Sequence, residues 1–442
     1  MDLWNSLYDR YKQDFNFIFF TPVESPSLKI LNIVKLSYGK NLFIDLFDDC
    51  DFQYPDIVDK ISEYDKIWQM YDPVRSRKVA YSWLLYWISI LKLYTPSAVY
   101  IWNGFHLPEV ALAQVAESSG IKRYFVERGP LAGTFSFDEM GINYRSSFVA
   151  HFEKIKSDIE LQRIQRFSEH YISTGESNWG QPGRIASRAG FLNKFGIPKD
   201  KVILFFPSQV DKDSNSKIFS PLYPSVFDAY YHLVESLIPY SKDIFLLAKK
   251  HPMQEDAGSF KGLPMASGRW VEEAHIFDCI EHSDAVVSIN SSSAVEAALL
   301  GKPVLILGQS ILEKNRFVIK VENTSDLSKS LGSLIFLAKK NIPQKDDLFF
   351  SKLLFGYLFS PSYELNRIGV KGIGDIPFPQ PSISEKNKFM YLDELSIISR
   401  FLALRPAQLH KADLSLKDWL TFARKIPKKI LKKILHKQTK II

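Results

Sequence analysis

LFFPSQVDKDSN (residues 204–215) sets the reading of the whole chain. Leu204, Phe205 and Phe206 close an apolar run that begins at 201 as KVILFFP, and seven polar residues with two aspartates follow. A short apolar run that ends in turn residues is the pattern of a strand covered on both faces. Strands of that kind belong to parallel sheets flanked by helices, so the test is whether others alternate with helical patterns. The two aspartates, Asp211 and Asp213, read either as solvated loop residues or as groups held at a strand end for chemistry. The stretch alone leaves both open.

The alternation is present. After 204–215 come DIFLLAKKHP (243–252), DAVVSIN (284–290) and KPVLILG (302–308), with helical patterns near 222–239, 271–282 and 293–300. An earlier series holds FNFIFFTP (15–22), KNLFIDLF (40–47), PSAVYIWNG (96–104) and KRYFVERG (122–129). The helical stretch HLPEVALAQVAESSG (106–120) lies between its last two members. The expectation is an α/β protein of two Rossmann-like domains facing a cleft, 1–185 and 186–340. A segment of helices and loops packing across both (341–410) and a basic tail (411–442) would follow. In open parallel sheets ligands bind beyond the carboxyl ends of the strands.

The 442 residues are 46% hydrophobic and 24% charged, a globular composition. Two cysteines, Cys50 and Cys279, make no disulfide framework and no metal-ligand spacing, which suits a reducing cytoplasm. The charged N-terminus has no signal-peptide core. VAYSWLLYWISILKLY (79–94) is short for a membrane span and carries polar residues, so it reads as a buried helix. The net charge of +7 is a property of the tail: eight Lys and Arg and no acid lie between Arg424 and Ile442. Within it, IPKKILKKILHK (426–437) repeats isoleucines and lysines at helical spacing, the pattern of a cationic helix on an anionic membrane surface. No nucleic-acid reader motif accompanies it.

Candidate site residues cluster at the expected strand ends. Asn103 follows YIW, and Glu127-Arg128-Gly129 closes the next strand. Gln209, Asp211, Asp213 and Asn215 follow VILFFP; Lys250, His251 and Pro252 follow FLLAK. Ser291, Ser292 and Ser293 follow VVSIN at the start of a helix that carries Glu296 one turn in. Free N–H groups at a helix start favour a phosphate or carboxylate, although plain capping by Ser292 or Ser293 accounts for the same residues. A carboxylate such as Glu127 can serve as a base towards a hydroxyl, and equally as half of a surface pair with Arg128. Walker A, GxGxxG, GxSxG and HExxH patterns are absent.

WNG followed by a helix, then YFVERGPLAGTFSFDEMGINYRSS (124–147), FPSQVDKDSN, AKKHP and SDAVVSINSSSAVEAALLGKPVLILG together resemble the capsular polysaccharide biosynthesis family. Its known members include bacterial β-Kdo glycosyltransferases, Kdo being 3-deoxy-manno-oct-2-ulosonic acid. The likeness spans roughly 97–310. It implies a GT-B fold, CMP-Kdo as donor, a saccharide or lipid-linked glycan acceptor, no metal or other cofactor, and retention of configuration. Carried over, the family's QVxxD falls on Gln209 to Asp213, making Asp213 the nucleophile. His251 would hold the nucleotide phosphate, the Ser291–Ser293 turn the nucleotide or a donor carboxylate, and Glu127 the acceptor side. The enzyme would sit on the cytoplasmic face of the inner membrane. Two alternatives stand beside this: inverting transfer from a UDP- or GDP-sugar, and a non-catalytic scaffold of capsule assembly.

Overall fold

The structure is a computed structural model that describes residues 2–11, 19–21, 33–35, 54–157, 160–254 and 267–376. The strand expected at 40–47, Cys50, the segment after 376 and the basic tail lie outside these residues. Contacts group the chain into residues 1–125 with 377–442, and residues 126–376. The boundary expected near 185 falls inside the second unit.

In the first unit the described elements are α1 (Asp2–Tyr11), β1 (Phe19–Thr21) paired in parallel with β2 (Ile33–Lys35), α2 (Pro55–Ser62) and α3 (Pro73–Tyr94). Then come β3 (Ala98–Trp102), α4 (Leu107–Ser118) and the first half of β4 (Lys122–Arg128). The apolar run from 79 to 94 is the body of α3. It buries Val79, Leu84, Leu85, Trp87, Ile88 and Leu91 against α2 and α4. Asp72 caps this helix by accepting the Arg75 N–H, and Pro73 presets its first turn. Trp87 keeps a polar edge in this core, so its Nε1–H donates to the Pro108 carbonyl at 2.7 Å. Among the described residues no helix is long and apolar enough to cross a membrane.

The second unit begins within β4 and continues through β5 (Phe135–Asp138), α5 (Leu161–Thr174), α6 (Arg188–Phe195), β6 (Val202–Pro207), α7 (Ser214–Ile218) and α8 (Val226–Leu237). Next are β7 (Ile244–Lys249), β8 (Gly268–Val271), α9 (Ile276–His282), β9 (Ala285–Ser288), α10 (Ser292–Leu299), β10 (Val304–Ile306), β11 (Ile319–Lys320) and α11 (Leu327–Lys339). Six strands pair in parallel in the order β11-β10-β9-β6-β7-β8. The mixed α/β class with parallel strands is therefore the one expected from the alternating runs.

Strand β6 explains why those runs are continuous. Leu204 and Phe206 face one side of the sheet, where α8 and α11 supply Tyr230, Leu233, Leu327 and Leu331. Ile203 and Phe205 face the other, against Phe191, Phe195, Phe277, Ile280 and Val295 of α6, α9 and α10. With both faces covered no position is left for a polar side chain. Each fully buried phenylalanine contributes about 1.5–3 kcal/mol, so β6 is an anchor of this unit.

The strand order also locates a site. From β6 the chain builds outward through β7 and β8, then returns to β6's other edge and builds through β9, β10 and β11. The order reverses between β6 and β9, and in open parallel sheets the carboxyl ends of the strands at such a reversal are where ligands bind.

Candidate functional site

The loops leaving β6 and β9 are tied together across this reversal. Gln209 is buried and pairs twice with Asn290: its Nε2–H donates to Asn290 Oδ1 at 2.8 Å, and its Oε1 accepts the Asn290 N–H at 3.1 Å. Asn290 Nδ2–H in turn serves the carbonyls of Asn215, Phe219 and Gln309 at 3.0 to 3.2 Å. Asn143 completes the set, its Nδ2–H donating to Asn215 Oδ1 at 2.6 Å. Asn143 lies in the loop after β5, in the left-handed region at φ 51°. Asp138 holds that loop, its carboxylate accepting from the backbone of Met140, Gly141 and Ser147. Gln209 and Asn215 were expected here; Asn290 and Asn143 were not singled out. The one sequence signal for Asn290 was an amide side chain ending an apolar strand.

This frame separates the two aspartates. Asp211 turns inward: its Oδ1 accepts the Val226 N–H at 2.7 Å at the start of α8, while its own N–H donates to Gln254 Oε1. It ties the loop to a helix end. Asp213 is exposed and caps α7, its Oδ1 accepting the Asn215 N–H at 2.8 Å. The carboxylate is thus oriented by a residue that the amide network itself immobilises.

The serine turn is also resolved by residue. The cap of α10 is Ser291, not Ser292 or Ser293; its Oγ accepts the Ser293 N–H at 3.2 Å. Ser288 Oγ accepts the Ser291 N–H, Ser292 is exposed and Ser293 is buried. Glu296 points into the protein. It accepts a hydrogen bond from Tyr171 Oη–H at 2.9 Å, and Tyr171 Oη accepts the Ala132 N–H at 2.7 Å. Burial raises the Glu296 carboxyl to about 7 against the pull of the tyrosine bond. It links α10 to the loop after β4.

After β7, Lys249 is buried and its Nζ donates to the Glu272 carbonyl at 2.8 Å, whereas Lys250 is half-exposed and Pro252 exposed. His251 Nδ1 accepts the Met253 N–H at 3.1 Å, which puts the ring proton on Nε2. Burial, and then the nearby Lys249 cation, depress the imidazole to about 4. At neutral pH it is an uncharged donor aimed by its own loop, a form suited to a phosphate oxygen.

Trp179 joins this loop to the end of β4. Its ring meets His251 edge-on at 5.6 Å between centroids, and the Arg128 guanidinium lies over it at 5.4 Å. The strap bearing Trp179 is fixed by Gln181 Oε1, which accepts the Ile276 N–H, and by Arg184, which pairs with Asp278 and Glu281. Beside Arg128, Glu127 Oε1 accepts the Arg128 backbone N–H at 2.8 Å. At Gly129 a Cβ would come within 2.1 Å of Thr134 Oγ1, so glycine is demanded by its own loop. Asn103 belongs to the 1–125 unit, in a left-handed conformation at φ 63°. Trp179 escaped sequence reading because no spacing connects 128, 179 and 251. Among the described residues no group of three His, Cys, Asp or Glu side chains is placed to hold a metal ion.

Fold and site define an α/β protein with a parallel sheet whose reversal point gathers phosphate-compatible donors and an exposed carboxylate. Residues 185–315, which supply most of that site, match the family model described as Capsule polysaccharide biosynthesis protein. Protein FixF of Sinorhizobium fredii is 27% identical over 235 residues, 53% of this chain and 54% of that protein. The match spans about half the length of this relative. Among solved structures the chain is similar to the beta Kdo 2,4 transferase of Thermosulfurimonas dismutans KpsC. The identity is 15% and the TM-score 0.45, over 62% of this chain and 87% of that one. For the beta Kdo 2,7 transferase of the same KpsC the values are 16% and 0.38, over 62% and 81%. S. aureus MnaA in its UDP co-structure is similar at 12% and 0.36, over 68% and 91%.

Proposed function

We propose that this protein is a glycosyltransferase of capsule or surface polysaccharide synthesis that moves Kdo from CMP-Kdo to a saccharide or lipid-linked glycan acceptor, with retention of configuration. The observation that carries the reading is the join at the reversal point, where Gln209 and Asn290 lock together the loop that presents Asp213 and the loop that presents the serine turn. The capsule family match over the same residues supports it.

In the first step an Asp213 carboxylate oxygen attacks the anomeric carbon. The bond from that carbon to the phosphate oxygen breaks, and CMP leaves with the electron pair. The phosphate is a good leaving group once its charge is met by His251 Nε2–H and the positive end of the α10 dipole. In the second step the acceptor hydroxyl attacks the same carbon and releases Asp213, its proton passing to Glu127; two displacements restore the original configuration. No metal is required in this scheme, since hydrogen-bond donors answer the phosphate charge. The lysine-rich stretch from 424 to 442 brings the enzyme to the anionic inner-membrane surface, on the cytoplasmic side, where a lipid-linked acceptor is found.

Asp213→Asn keeps the α7 cap and removes the nucleophile. Purified protein incubated with CMP-Kdo and acceptor is expected to form product, and the variant to lose at least about a thousandfold in rate. Undiminished turnover by the variant contradicts the mechanism. Selective stabilisation by UDP or GDP, rather than by cytidine nucleotides, contradicts the donor.

A further inference from the structure

We infer that Arg128, laid on the face of Trp179 beside His251, is the receptor for a carboxylate on a substrate sugar. The inference rests on the glycosyl-transfer reading and gives that site a specificity determinant. A guanidinium held over an aromatic ring by cation–π attraction leaves its N–H fork available, and that fork matches the two oxygens of a carboxylate. Three observations give Arg128 this role. Among the described residues it enters no ion pair, although Arg184 of the strap and Arg188 at the start of α6 are both paired with acids. The adjacent acid, Glu127, turns its Oε1 to the Arg128 backbone N–H. The indole beneath it is held on a strap anchored by Gln181 and Arg184, so the cation is presented in one place.

The location adds chemistry. One indole ring separates the guanidinium from His251, whose Nε2–H is free to meet a phosphate oxygen because its Nδ1 is engaged by Met253. Both groups border the same indole, Arg128 over its face and His251 against its edge, so a ligand lying along that ring would meet a phosphate donor and a carboxylate fork together. An ulosonic acid activated as its nucleotide ester bears a phosphate ester and a carboxylate at its anomeric carbon. An acidic acceptor residue is the other source of the same group, and kinetics distinguish the two.

The experiment measures KM for CMP-Kdo, KM for the acceptor, and competitive inhibition by CMP alone, for the unaltered protein, Arg128→Gln and Arg128→Lys, with a melting curve for each. Loss of the fork is expected to raise the KM of the carboxylate-bearing substrate by about 10- to 100-fold, the range for a hydrogen bond to a charged group. Inhibition by CMP should stay within about threefold, and Arg128→Lys should recover only part of the loss. A rise in donor KM assigns the carboxylate to the donor; a rise in acceptor KM assigns it to the acceptor. Unchanged KM values, or CMP inhibition weakening in parallel, overturn the inference and leave glycosyl transfer standing. An unaltered protein that neither binds CMP nor turns over overturns both.

Discussion

Two neighbourhoods in the 126–376 unit hold the candidate site, and they are built on different principles. Where the β6 and β9 loops meet, amides answer one another: Gln209 pairs with Asn290, Asn290 serves three carbonyls, and Asn143 holds Asn215. Around Trp179 the contacts are ring faces and edges, which fix Arg128 and His251 in place without consuming their polar hydrogens. The first arrangement spends its hydrogen bonds on geometry and is a frame. The second keeps them for a ligand and is a receptor. The polar atoms of a frame should therefore matter to stability, and those of a receptor to KM.

Asn290→Ala tests the frame and carries the largest expected stability effect. It strips the amide from Gln209 and a donor from three carbonyls, at about 1–3 kcal/mol for each polar group left buried and unanswered. Urea unfolding should show a loss of about 3 kcal/mol or more, where the Arg128 variants should show almost none. A stability change as small as theirs would erase the distinction.

Glu296→Gln comes next, because its effect depends on pH. In the folded protein burial keeps this carboxyl protonated up to about 7, against an ordinary value of 4.5. The proton therefore favours the folded state fully below 4.5, and that contribution is lost as pH rises through 7. The glutamine variant cannot ionise, so its stability relative to the unaltered protein should climb across that window by up to a few kcal/mol. His251 slopes the other way, being held at about 4 against 6.5, so the difference between the two proteins is the quantity to plot. A flat difference would mean that Glu296 is not the buried, proton-holding link between α10 and Ala132.

Asp211→Ala sharpens the contrast between the aspartates and is the smallest effect. It removes one bond to the start of α8, worth about 1 kcal/mol, and should lower turnover less than tenfold, by roughly the margin that a loosened loop allows. A loss as deep as that of the Asp213 variant would reassign the nucleophile.

Much of this was legible before any coordinates. The strands β6, β7, β9 and β10 stand out because burial on both faces leaves uninterrupted apolar runs, and the loops after them are polar because they end at the sheet's rim. β8 was not read as a strand, since Gly268–Val271 holds only four residues, one of them arginine, and the helical pattern read from 271 overlaps only its last residue. The Ser291–Ser293 turn was recognisable as a helix start, but which serine caps it depends on backbone angles that no composition reports. Glu296 was expected to face a ligand; one turn into α10 its side chain points to Tyr171, a partner 125 residues distant in the chain. Trp179 was invisible for the same reason: its neighbours Arg128 and His251 come from two other segments, brought together by the fold alone.

In the proposed mechanism the exposed Asp213, the cap of α7, is the group that the Gln209–Asn290 frame presents. Peptide mass analysis after brief exposure to CMP-Kdo without acceptor tests it most directly. The expected result is the added mass of one Kdo residue on the peptide containing Asp213, absent from Asp213→Asn. Product formation by the unaltered protein with the adduct on another residue, or an adduct that persists in the Asp213→Asn variant, would contradict it.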